Sequence, residues 1–135
     1  MEMESTAALR NKIPLIVPGA LATGVGQATY QAQEKGRVNE VEIALGATGS
    51  VSGNTTVDVK KNGVSILAAG PASIVQGSAT KTLRITSLVL GPAGGGEPSG
   101  VDYVEGDLFT VDITAVPGTT STTLTVYLGA IGKNV

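Results

Sequence analysis

Residues 55–67 read Thr55-Thr56-Val57-Asp58-Val59-Lys60-Lys61-Asn62-Gly63-Val64-Ser65-Ile66-Leu67, and this stretch decides the fold class. Apolar and polar side chains alternate on both sides of Asn62-Gly63. That dipeptide is the one most favoured where both central residues of a two-residue turn need positive φ. A period of two turns one face of each run toward a core and the other toward water. The stretch is expected to be a β-hairpin closed by a type I′ turn.

The same period recurs outward from the hairpin. Val41, Ile43 and Leu45 alternate with Glu40, Glu42 and Ala44, so a slip of one residue would bury two glutamates. Phe109, Val111 and Ile113 alternate with Thr110, Asp112 and Thr114, and Leu124, Val126 and Leu128 with Thr125 and Tyr127. Weaker strand signals cover residues 13–17, 28–33 and 83–90, giving about eight strands in one small all-β domain, a pattern that points to a sandwich or jelly roll. Helical periodicity is confined to residues 4–9, too short a run to be stable alone. The polar residues 1–12 are expected to form an N-terminal arm ahead of a sandwich spanning 13–135. The Gly/Pro-rich residues 91–100 are expected to form a mobile loop between strands.

The chain has 135 residues, 41% of them hydrophobic, yet holds only three Tyr, one Phe and no Trp. Its core must therefore come from Val, Ile, Leu and Ala. With no His and no Cys, Ser-His-Asp and Cys-His nucleophile pairs are excluded, as are zinc sites built on imidazole or thiolate. Nine basic against eleven acidic residues leave no footprint for a phosphate backbone, so nucleic acid is not an expected partner. No apolar run approaches a membrane helix, and the acidic, polar start is unlike a signal peptide, so no membrane partner is expected.

Residues 19–26 have the glycines of a phosphate loop but lack the Lys-Ser/Thr of a Walker motif, and Thr29 stands where the dinucleotide fingerprint needs its third glycine. Acid–base chemistry would have to use carboxylate pairs: Asp102 with Glu105, Glu105 with Asp107, or Asp58 with Asp112. The simpler reading puts Asp58 and Asp112 on the solvent faces of their strands and makes Gly106-Asp107 turn chemistry before the next strand. Asp102, Glu105 and Asp107 depart from the spacing of a calcium loop. Asn54-Thr55-Thr56 matches a glycosylation acceptor but reads better as a strand start. Tyr30, Tyr103 and Tyr127 could stack on a sugar, though half-buried strand tyrosines are the more common outcome. No catalytic residue, cofactor or metal site is expected.

Three stretches carry a family resemblance. The first is Val17-Pro18-Gly19-Ala20-Leu21-Ala22-Thr23-Gly24, followed by Tyr30 and by Gly36-Arg37-Val38-Asn39-Glu40-Val41. The second is Thr56-Val57-Asp58-Val59-Lys60-Lys61-Asn62-Gly63-Val64-Ser65-Ile66. The third is Val104-Glu105-Gly106-Asp107-Leu108-Phe109-Thr110-Val111-Asp112-Ile113, then Leu124-Thr125-Val126. In this order the chain resembles small jelly-roll virion proteins of tailed bacteriophages.

The resemblance implies a virion component made in the host cytoplasm: a head decoration (cement) protein that binds the major capsid protein as a homotrimer and stabilises the coat lattice. It equally admits a fibre or receptor-binding module for a host surface glycan. Because the chain is little more than the sandwich plus an arm, the free-standing decoration role is favoured. The arm, with Met3, Leu9, Arg10 and Lys12, is then the expected partner contact.

Overall fold

The computed structural model describes residues 10–47, 53–75, 81–88, 100–117 and 122–132. These form ten strands: β1 (Arg10–Ala20), β2 (Gly24–Gln31), β3 (Gly36–Ala47), β4 (Asn54–Lys61), β5 (Val64–Ser65), β6 (Ala72–Val75), β7 (Thr82–Ile85), β8 (Val101–Tyr103), β9 (Leu108–Ala115) and β10 (Thr122–Gly132). There is no helix among the described residues. One sheet runs β1-β10-β3-β7 with β8 also on β3, and the other runs β2-β9-β4-β5 with β6 also on β4. The pairings are antiparallel. The protein is an all-β sandwich, and its strand order is compatible with a jelly roll.

The alternation seen in the sequence builds the core between the sheets. Val41, Ile43 and Leu45 of β3 lie opposite Leu128, Val126 and Leu124 of β10, and all six are buried. Val57 and Val59 of β4 and Phe109, Val111 and Ile113 of β9 supply the facing layer. Asn62 (φ 50°) and Gly63 (φ 86°) are both left-handed, as a type I′ turn requires. Pro14, inside β1, is tolerated because β1 is an edge strand and one side of its backbone needs no partner.

Several boundaries differ from the sequence reading. The first strand begins at Arg10 rather than residue 13: Arg10, Asn11 and Lys12 pair with Ile131, Ala130 and Gly129 of β10. Residues 1–9, with Met3, Leu9 and the short helical run, lie outside the described residues, as do 91–99 of the Gly/Pro-rich stretch. The strand expected over 83–90 is β7, which ends at Ile85, and Leu88 forms only an isolated bridge to Leu67. In the second arm of the hairpin, regular pairing stops at Ser65, because Ile66 and Leu67 are both buried and alternation ends there. Ten strands replace about eight, since β6 and β8 are too short to show a period.

Tyr103 of β8 lies over Gly36 of β3, its cross-strand partner. A Cβ at Gly36 would overlap the Tyr103 hydroxyl, lying 2.7 Å from Cζ and 2.9 Å from the Ile131 carbonyl oxygen. Both neighbours are fixed, the tyrosine by burial and the carbonyl by its strand. Gly36→Ala is therefore expected to cost about 1–3 kcal/mol, read as a lower urea midpoint. An unchanged midpoint would mean that Tyr103 swings aside freely.

Candidate functional site

The sequence proposed that Asp58 and Asp112 face solvent, and the structure corrects this. They are direct cross-strand partners on β4 and β9, and each is buried, 8% and 4% exposed. Their outer face is covered by the protein itself. Between Gly24 and Ala28 the β2–β9 register shifts, and the N–H of Gly26 donates to Asp112 Oδ1 at 2.8 Å. Lys60 Nζ meets Asp112 Oδ2 at 2.8 Å, and Ser65 Oγ donates to Asp58 Oδ1 at 2.7 Å.

Like charges directly opposite one another are ordinarily destabilising, and here the donors offset the repulsion. Burial pushes the Asp112 carboxyl up, but the hydrogen bonds from Lys60 and Gly26, with the Lys60 charge, outweigh it and hold the group below its usual value. The same hydrogen bond and the charge of Asp112 raise the Lys60 ammonium.

A second cluster closes one end of the sandwich. Asp107 Oδ2 accepts the Val104 N–H at 2.9 Å, Asp107 Oδ1 accepts Asn62 Nδ2 at 3.0 Å, and Lys61 Nζ lies 3.5 Å from Oδ2. Asn62 Oδ1 in turn accepts the Leu108 N–H at 2.9 Å. Lys61 also donates to the Asp102 carbonyl at 2.9 Å, tying β4 of one sheet to β8 of the other. The bond from Val104, then the donors on Asn62 and Lys61, hold Asp107 below the ordinary carboxylate value. Gly106-Asp107 is turn chemistry, and it also clamps the Asn62-Gly63 turn.

The outer face of the first sheet is ordered in rows. Pro14, Tyr127, Glu42 and Arg84 form one row across β1, β10, β3 and β7, and Ile16, Thr125, Ala44 and Thr82 form the next. Lys12, one of the expected contact residues, reaches Glu42 at 2.9 Å and sits 5.6 Å above the Tyr127 ring. Its bond to Glu42 raises the ammonium above its ordinary value. Arg84 pairs with Glu40 at 2.9 Å. Beside these ion pairs the second row carries no charge, and Ile16 is 55% exposed.

The expected sites are thus dispersed. The Asp102 carboxylate pairs with Arg37 at 2.8 Å and not with the groups that hold the Asp107 carboxylate, although its backbone carbonyl shares Lys61 with them. Among the described residues, no group of three or more Asp or Glu converges to hold a metal ion. The tyrosines share no platform: Tyr103 is buried edge-on against Phe109 (5.5 Å, 87°), Tyr30 packs on the core, and Tyr127 lies beneath Lys12. A general acid at neutral pH needs a raised carboxyl pKa, whereas Asp107 and Asp112 are lowered. Lys60, Lys61, Ser65 and Gly26 went unrecognised in the sequence. Lys60, Lys61 and Ser65 carried only the signal of lying in the hairpin, and Gly26 carried none, being 86 residues from the carboxylate it caps.

No family model and no curated protein matches this chain. Among solved structures it is similar to the Drosophila NLP core, a structure concerned with pentamer formation and histone binding, at 14% identity and a TM-score of 0.47, covering 93% of this chain and 99% of that one. It is also similar to the acidic stable capsid structure of the Helicobacter pylori bacteriophage KHP30, at 10% identity and a TM-score of 0.45, with the same coverage of 93% and 99%. At these identities and scores, the partners of neither transfer to this chain.

Proposed function

We propose that this chain is a structural virion protein of the head-decoration type, binding the major capsid protein as a homotrimer without catalysis. The family resemblance of its sequence supports the reading. The observation that carries it is the outer face of the first sheet, where Ile16, Thr125, Ala44 and Thr82 make an uncharged row bordered by ion-paired Lys12 and Arg84. Such a face gains about 25 cal/mol for each Å² of apolar surface it buries on a partner, and whatever binds only the folded form stabilises it. Pro14 and Pro18 remove two N–H groups from the edge strand β1, which disfavours the addition of a further strand there and favours contact through the side-chain face.

The test compares the full chain with one beginning at Arg10, by light-scattering mass and by cosedimentation with coat-protein shells. Cutting after Lys12 would remove three rungs of β1, so the earlier cut is the informative one. A trimer that binds shells, with weaker assembly once residues 1–9 are gone, is the expected result. Ile16→Asp should abolish shell binding while leaving the urea midpoint in place. A monomer that ignores the shells in either form would overturn the reading.

A further inference from the structure

We propose that Asn62 is a site of spontaneous deamidation restrained by Asp107, so that the hairpin end of the sandwich can age chemically. The inference is independent of the proposed function. Asn62 is exposed and is followed by Gly63, whose missing Cβ leaves its amide nitrogen unhindered. What restrains the reaction is the clamp: Nδ2 is held on Asp107 Oδ1 at 3.0 Å and Oδ1 on the Leu108 N–H at 2.9 Å.

Cyclisation must release the Asp107 bond, because Nδ2 is the leaving group. The Gly63 amide nitrogen gives up its proton to solvent base and attacks Asn62 Cγ, forming the C–N bond of a five-membered imide. The Cγ–Nδ2 bond breaks and Nδ2 leaves as ammonia after taking a proton from water. A second water then opens the imide at one of its two carbonyls, giving aspartate or isoaspartate. No oxidant or reductant takes part.

Either product opposes the local structure. Aspartate replaces the Nδ2 donor with a carboxylate oxygen facing Asp107, a pair of like charges. Isoaspartate adds a backbone atom to a two-residue turn whose geometry is set by its length, and the Asn62 N–H bond to the Leu108 carbonyl at 2.7 Å depends on that turn.

The experiment holds the full chain in mildly alkaline buffer, native and urea-unfolded, and follows the peptide containing residues 62 and 63 by mass spectrometry. The bond to the charged Asp107 carboxylate must break in the native state, so its rate should be roughly tenfold or more below the unfolded rate. Asp107→Ala, with its fold checked by circular dichroism, should react at least about threefold faster than the parent. Should that variant fail to fold, Asp107→Asn keeps the shape and should still react faster than the parent. Equal native and unfolded rates, or a folded Asp107 variant reacting no faster than the parent, would overturn the proposal. Asn62→Asp, which mimics one product, should be less stable than the parent at neutral pH, with the gap closing as pH falls into the carboxylate range. An unchanged gap would overturn the ageing consequence.

Discussion

Phe109→Ala is expected to lower the unfolding free energy by about 3–5 kcal/mol, the largest effect of any single change considered for this protein. The ring is fully buried on β9, facing the core between the sheets. It is also the only phenylalanine in a chain without tryptophan, and it meets Tyr103 edge-on at 5.5 Å. Its removal leaves a cavity at the closed end of the sandwich, where Lys61, Asp107 and β8 are held together. The remaining core is mostly branched aliphatic side chains, which cannot flow into a ring-sized space without leaving their rotamers. Urea unfolding should show a shifted midpoint with an unchanged slope. A loss below about 1 kcal/mol would mean that the site collapses around the smaller side chain.

Asp112→Ala is the second expected result, with a loss of about 1–2 kcal/mol. The substitution removes the acceptor of the Gly26 N–H and of the Lys60 ammonium, while it relieves the repulsion from Asp58 across the strand pair. The loss dominates because two hydrogen bonds to a buried carboxylate go at once, although water can take up the donors on exposed Gly26 and half-exposed Lys60, whereas the repulsion is already offset by the donors on each carboxylate.

The pH dependence distinguishes this account from simple loss of packing. Asp112 and Asp107 are lowered in the folded protein, so both contribute stability that is present above the unfolded carboxylate value of 3.8 and lost as pH falls through their folded values. The parent should therefore lose stability in acid, below about pH 4. The Asp112→Ala variant should lose less over the same range, so the two acid limbs converge. Parallel limbs would show that the carboxylate's charge adds nothing.

The hairpin was legible because its determinants are local. Asn62-Gly63 selects a turn whose twist suits two strands, and alternation over a few residues assigns each side chain to a face. The same logic located the centres of the strands around Val41, Phe109 and Leu124 but not their ends. β1 reaches back to Arg10 because β10 offers pairing partners as far as Ile131, and no residue near Arg10 announces that. The clamp was half legible: Gly106-Asp107 read as a turn, while its bond to Asn62 spans 45 residues.

The buried aspartates show where local reading stops. A polar residue at every second position looks identical whether that face meets water or is covered by the chain's own irregularities. Here the offset of β2 and the hydroxyl of Ser65 provide the cover, and neither has a pattern of its own. Lys61 is the converse case, a charged residue at an inward position, sustained by the Asp102 carbonyl and Asp107 across the end of the sandwich.

By itself the sequence determined the all-β class, the hairpin and the aliphatic core, because turn chemistry and a period of two act over only a few residues. Sheet order, the burial of the Asp58–Asp112 pair and the clamp on Asn62 were decided by the tertiary structure alone. They depend on which distant backbone groups come to lie opposite one another, and such pairings arise only when the two sheets close over a shared core.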